Sequence, residues 1–372
     1  MTTSFKKNLA IIGASYLQLP LILKAKEMGY ITHVFAWKAD DVGEKEADYF
    51  YPISIIEKEE IYKVCKGLNL EGICTIASDL AAVTVNYVAN KLGLNANNMD
   101  ATYVSSNKHA MRLRFEKCGD PSPKSIEVSD PSDIDNMVLS FPLIVKPTDR
   151  SGSRGINKVY NKEELKLDIL KALQESFEKK ALVEEFVEGQ EYSVEYISYK
   201  GKHTFLALTL KYTTGAPYFI ETGHLEPAPV DGNTLKRIQD VVSHALTSLG
   251  VSEGASHSEI KIDDKGNIKI IEIGARMGGD CIGSDLVYYS TGYDFLRMVI
   301  EVACNKAPTF IQNENHFPVE VRFILSESDL KTFLDIKEHH PEKLLKVVDY
   351  HPEKIGKTTD SSNRAGCYII RK

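Results

Sequence analysis

Apolar strands alternate with helical stretches through the opening of this chain, and that order admits few folds. Residues 9–12 are apolar and turn at Gly13 into a helical pattern over 17–28, which Gly29 stops before a second strand over 32–37. A third strand, 72–77, precedes Ser78, Asp79, another helical stretch and Gly93. Strands joined through helices lie parallel and need cover on both faces. The opening turn is a poor dinucleotide site. Of a GxGxxG fingerprint only Gly13 is present, because Ser15 and Gln18 hold the other two positions and would keep the backbone away from a pyrophosphate. The expected role of this unit is packing, with its loops shaping a neighbouring site.

The remaining length allows more than one such unit. At about 100–200 residues per domain, 372 residues give about two to three domains. With 43% hydrophobic and 26% charged residues the chain can bury ordinary cores, which excludes long disorder. The net charge of −7 argues against non-specific binding to nucleic acid or to an anionic membrane, and leaves room for a local basic pocket around a phosphate. Residues 1–7 are too short and polar for a signal peptide, and no stretch approaches the roughly 18 apolar residues of a membrane span. A cytoplasmic location is expected. Cys65, Cys74, Cys118, Cys281, Cys304 and Cys367 are scattered without a CxxC or a Cys/His cluster, so neither a zinc site nor a disulfide framework is indicated.

From residue 105 onward the charged residues fall where charge is costly. Lys108 opens a helical stretch, with Ser105 or Ser106 as its cap, so its ammonium can join a helix N-terminus in holding an anion. Residues 141–145 form an apolar β run that delivers Lys146 and Pro147, and a lysine at the end of a buried strand needs a counter-anion. The small residues Ser151, Gly152, Ser153, Arg154 and Gly155 follow, a loop able to bend its amides around a phosphate or simply to turn a hairpin. It is no Walker A loop, since no Gly-Lys-Ser/Thr follows. A short strand over 181–183 runs into Glu184, Glu185, Phe186 and Val187, and Glu191, Ser193 and Glu195 then alternate with apolar residues. Acidic groups at such strand ends can accept hydrogen bonds from an amino or hydroxyl group, or form an exposed acidic edge.

The most informative element is a hairpin. His257, Glu259 and Lys261 alternate along one strand, residues 263–267 make an Asp/Gly/Asn turn, and 268–273 return with Glu272. In such a pair Glu259 and Glu272 can oppose each other, which destabilises a hairpin unless a cation lies between them. Oxygen ligands combined with substrate phosphates favour Mg over zinc.

Taken in order, Lys108, the Pro142–Pro147 run with Lys146, the Ser151–Gly155 loop, Glu184 to Gly189 with Glu191, and Glu259 followed by Glu272 and Arg276-Met-Gly-Gly resemble the ATP-grasp superfamily. The stretch 257–280 is most similar to its carboxylate–amine, L-amino acid type ligases. The resemblance implies a mixed α/β and α+β multidomain fold: a Rossmann-like domain over 1–104, an ATP-grasp domain over 105–305 and an α+β C-terminal subdomain over 306–372. It implies that Lys108, Lys146 and the loop hold ATP phosphates, that Glu184, Glu185, Phe186 and Val187 contact adenine, and that Glu191 lies near the ribose. Glu259 and Glu272 would carry Mg, and Arg276 would face the transferred phosphate. An asparagine often stands two residues after the second metal carboxylate in that family, whereas this chain has Gly274.

The activity expected from the resemblance is an ADP-forming ligase that joins a small carboxylic acid to an amine, plausibly amino acids, through an acyl phosphate. The alternatives are a bicarbonate-using carboxylase or carbamoyl-phosphate-synthase-like enzyme, and a nucleotide-binding regulator. No Ser/His/Asp or Cys/His arrangement points to a covalent nucleophile. His224 and His257 are further catalytic candidates: His224 could orient a carboxylate or take a proton from the amine, and His257 shares a strand face with Glu259. A homodimer is allowed for.

Overall fold

The computed structural model describes residues 7–150, 155–216, 219–358 and 363–372. Its helices are α1 (Leu19–Glu27), α2 (Val42–Glu46), α3 (Lys58–Cys65), α4 (Asp79–Leu92), α5 (Met99–Ser106), α6 (Lys108–Cys118), α7 (Lys162–Glu175), α8 (Gly232–Ser248), α9 (Val287–Thr291), α10 (Phe295–Ala303) and α11 (Glu327–His339).

The amino-terminal strands β1 (Asn8–Ile12), β2 (Ile31–Ala36), β3 (Tyr49–Pro52) and β4 (Leu70–Cys74) form a parallel sheet in the order β3-β2-β1-β4. Alternation along β1 assigns its cover: Leu9 and Ile11 pack with α1 and α10, Ala10 and Ile12 with α3 and α4. Ser78 caps α4 and Gly93 ends it in the left-handed region, φ +69°.

A second sheet, antiparallel and in the order β5-β8-β6-β7, contains β5 (Ser125–Val128), β6 (Leu143–Pro147), β7 (Asn157–Val159) and β8 (Ala181–Glu185). Val145 and Val183 face Leu165 and Ile169 of α7, which turns Ile144, Lys146 and Glu184 to the opposite face. Glu184 and Glu185 therefore belong to the strand, and the connector expected over 184–187 begins at Phe186. The cap expected at Ser105 or Ser106 is also corrected. Those serines end α5, and Asn107 caps α6, its side chain accepting from the Ala110 amide at 3.0 Å.

The largest sheet is eight-stranded and antiparallel, ordered β13-β12-β9-β10-β11-β14-β16-β15. Its strands are β9 (Gln190–Tyr199), β10 (Lys202–Thr213), β11 (Glu221–Glu226), β12 (Gly254–Ile262), β13 (Ile268–Gly274), β14 (Val319–Ile324), β15 (Leu344–Tyr350) and β16 (Gly366–Arg371). One face is apolar: Val194, Leu208, Ile260 and Ile270 pack against Ile238, Val242 and Leu246 of α8. Burying each such side chain contributes about 1.5–3 kcal/mol before chain entropy is counted. The three strands from the carboxyl-terminal segment, expected as an α+β subdomain of their own, continue this same sheet, because β14 pairs with β11 and β16 pairs with β14. No helix among the described residues is long and apolar enough to cross a membrane.

Candidate active site

The other face of the large sheet is polar. Cross-strand register carries one row of charges over it: His257 opposes Gly274 and Glu195, Glu259 opposes Glu272 and Ser193, and Lys211 opposes His224. Period-two alternation along each strand brings these side chains to one surface while their neighbours enter the core. That surface faces Lys146 and Glu184 across a cleft, whose walls also include Asp79, Lys108, Arg150, Phe186, Glu221 and Arg276.

A run of contacts follows the cleft. Phe186 lies under the Lys158 ammonium, 3.5 Å from the ring centroid, with Phe219 tilted 6.4 Å away and Lys261 at 5.2 Å. The Lys261 ammonium donates to the Val187 carbonyl at 3.3 Å and lies 3.9 Å from Glu191. Glu191 meets Lys211 at 3.0 Å, and Lys211 meets Glu259 at 2.5 Å. Glu272, facing Glu259, accepts from Lys108 at 2.8 Å, and the same ammonium donates to the Arg150 carbonyl at 2.6 Å. The cleft thus passes from an aromatic, cation-rimmed end at Phe186 to a densely charged one at Glu272.

Burial opposes every charge here, and neighbours decide the outcome. Burial pushes Lys211 towards its neutral form, yet Glu259, Glu191 and Glu221 outweigh it and hold the ammonium well above the usual lysine range. Glu259 is kept well below the carboxylate range against its burial by Lys211 and His257. His257, bonded through Nδ1 to the buried Glu195 carboxylate, is raised to about 9 although burial alone would lower it. Glu195 also accepts from the Gly278 amide at 3.0 Å, so one carboxylate fixes both the imidazole and the loop after β13.

Lys146 and Glu184 form a buried ion pair, each side chain 4% exposed, and Arg112 of α6 binds the same carboxylate at 3.0 Å. Burial lowers Lys146, whereas Arg112 and Lys146 together keep Glu184 ionised against its own burial. Glu184 therefore has a structural partner in this arrangement, while Phe186, Val187 and Glu191 present surface to the cleft. Glu185 is exposed at the cleft rim and accepts from the Lys124 amide at 3.1 Å. Gly155, at φ +67°, has Pro147 Cγ 3.1 Å from the place its Cβ would take, so the turn there favours glycine. Ser151, Gly152, Ser153 and Arg154 lie outside the described residues.

Arg276 is tied to Asp79 of α4, Nε to Oδ1 at 2.8 Å and a terminal nitrogen to Oδ2 at 3.1 Å. His224 is 1% exposed, held low and neutral by burial, with Nε2 3.8 Å from Asp280 and no hydrogen-bond partner for Nδ1 among the described residues. It shares the polar sheet face but is not a wall of the cleft. The amino-terminal turn carries no anion cradle: Gln18, bonded to Ser15 Oγ and the Ile76 carbonyl, fills the space beside Gly13. Lys211, Arg112, Glu195 and Asp79 were not singled out as site residues from sequence. Lys211 alone carried a signal, a lysine directly after the mostly apolar run 205–210.

Among the described residues no three His, Cys, Asp or Glu side chains converge on one point that could hold a metal unaided. Glu259 and Glu272 supply two opposed carboxylates, so any cation there needs further oxygens from a ligand or water.

Residues 139–285, which supply most of this cleft, match the ATP-grasp domain family. The chain is similar to alanine–anticapsin ligase of Bacillus subtilis (strain 168), 25% identical over 325 residues that cover 78% of this chain and 69% of that protein. Matches to two further alanine–anticapsin ligases span 56% of their length. D-alanine–D-alanine ligase of Hydrogenovibrio crunogenus is 27% identical over 259 residues, 58% of this chain and 78% of that one. The fold is shared with an L-amino acid ligase from Bacillus licheniformis, TM-score 0.82 over 99% of this chain and 94% of that chain at 22% identity.

Proposed function

We propose that this chain is an ATP-dependent, ADP-forming ligase that joins a small carboxylic acid, of the amino acid class, to an amine. The observation that carries the proposal is the Glu259–Glu272 pair, set in register between Lys211 and Lys108 in one cleft with Arg276. A carboxylate is a poor electrophile, and transfer of a γ-phosphoryl group to it gives an acyl phosphate that an amine can attack. Such transfer needs positioning and charge neutralisation rather than a covalent nucleophile.

The chain's groups divide that work. Phe186, with the Val187 backbone, offers an apolar face and carbonyl for a purine, and Glu191 stands one contact further on for the ribose. Lys146 and Lys108 supply positive charge to phosphate oxygens, and the loop that ends at Gly155 would cover them. Glu259 and Glu272 would hold Mg, whose chemistry is to neutralise phosphate charge and fix its geometry. Arg276 would face the group in transfer, and His257, held cationic beside Glu259, adds charge at the same end. His224 shares the sheet face but does not line the cleft, so its place in this reading is to support Asp280 rather than to take the amine proton.

The test supplies candidate acids with hydroxylamine as the amine. A hydroxamate should appear with ADP in equal amounts. AMP and pyrophosphate would overturn the reading, and ADP release driven by bicarbonate alone would favour carboxylation.

A further inference from the structure

Arg276 lies on the loop that leaves β13, and the structure shows what holds it. The Asp79 carboxylate grips the guanidinium through two hydrogen bonds, 2.8 and 3.1 Å, from the first turn of α4. The two residues are 197 positions apart in sequence, one on a helix that covers the amino-terminal sheet and the other on the loop after a strand of the large sheet. Their segments are also joined through the backbone: the Ala77 amide donates to the Met277 carbonyl at 3.1 Å, and Ala77 takes φ +59° to do so. Gly279 sits against the same turn, where a Cβ would come within 3.4 Å of the Ala77 Cβ.

Gly274 is what makes room. A Cβ there would meet Asp79 Oδ1 at 2.8 Å and the Arg276 guanidinium at 3.2 Å. The backbone of Gly274 adopts no left-handed angle, so space rather than conformation explains the glycine. The volume that a side chain two residues beyond Glu272 would fill is filled instead by a carboxylate from the amino-terminal unit.

We infer that Asp79 is a positioning residue for Arg276, that Gly274 and Asp79 form one compensated pair, and that the amino-terminal sheet thereby sets the geometry of phosphoryl transfer. The inference rests on the ligase reading for the role of Arg276. It requires that Asp79 act mainly on the transition state and little on nucleotide binding, because the carboxylate hydrogen-bonds the arginine and meets Lys108 through charge alone. A purely structural tie would instead weaken every ligand equally.

The experiment compares Asp79→Asn, Gly274→Asn and the double variant Asp79→Ala/Gly274→Asn in the full chain. Each is titrated with MgADP, and with MgADP plus aluminium fluoride as a mimic of the phosphoryl group in transfer. Asp79→Asn should bind MgADP within about threefold of the parent and the fluoride complex about tenfold or more weakly, the scale of one misplaced charged donor. Gly274→Asn should do the same by displacing the pair. The double variant should be no worse than the worse single one, since removing the carboxylate clears the space that the new side chain needs. Equal losses for both ligands, or losses that multiply in the double variant, would overturn the inference. Acid-dependent ADP release by the parent, measured alongside, reports separately on the ligase reading: its absence sinks that reading while the fluoride titration still decides the role of Asp79.

Discussion

The two antiparallel sheets that face each other across the cleft both bring charge to one strand face, and they neutralise it differently. In the smaller sheet Glu184 is closed in between Lys146 and Arg112, with 4% of each member's side chain exposed. In the larger one Glu259 and Glu272 keep 27% and 26% exposure and meet lysines that reach in from other strands and helices. The first cluster is a fixed part of the wall. The second has counter-ions that can be exchanged, since its carboxylates remain open to the cleft and each lysine has another oxygen partner, Glu191 for Lys211 and the Arg150 carbonyl for Lys108. Fully buried ion pairs add little net stability but cost much to break, whereas half-open ones cost little and can serve a ligand.

That contrast fails if the two clusters respond alike to loss of one member. The largest effect should come from Glu272→Gln, expected to lower acid-dependent ADP formation by about 10³ or more while the thermal midpoint stays close to that of the parent. Near-normal turnover would remove the hairpin from the site. Glu184→Gln should show the opposite balance, losing about 3–5 kcal/mol in urea unfolding because two buried cations lose the carboxylate they share. If Glu184→Gln unfolds like the parent, the wall is not rigid in the way the ion pairs suggest.

The smallest expected effect sharpens the comparison at a third buried carboxylate. Among the described residues Glu226 has hydroxyl partners and no cation, Thr209 and Ser290 each donating at 2.5 Å, and its burial raises it from 4.5 to about 7. Its folded form therefore keeps a proton that the unfolded chain has already released. The stability tied to that proton is complete below about pH 4.5 and is lost as pH rises through about 7, a change of about 3 kcal/mol at most. Glu226→Gln should flatten that part of the stability curve, and an unchanged slope would mean the carboxyl is already ionised when folded.

What the sequence revealed follows the same division. Period-two alternation and a short polar turn were enough to oppose Glu259 with Glu272 and to place Lys146 at a buried strand end, because both facts are local. The partners were not local. Lys211 gathers Glu191, Glu221 and Glu259 from three other strands, and Arg112 reads as one more surface arginine on α6 until β8 and β13 close around it. Gly274 could be noted as a departure from a pattern, but its cause stands 195 positions earlier at Asp79. The carboxyl-terminal strands were legible as strands. Their sheet was not, since register with β11 is decided by side chains far away in sequence.

Arg112 has one more consequence, for motion. One guanidinium nitrogen bonds Glu184 in the small sheet, and another donates at 2.6 Å to the Ile271 carbonyl in the large one. A guanidinium shared by two sheets acts as a pivot pin. Sliding the small sheet along β13, or lifting it away, would break both of these bonds at once. Opening of the cleft should therefore be smallest near the pin, and the distance from Lys146 to Glu272 should vary less through a catalytic cycle than the distance from β7 across the opposite rim.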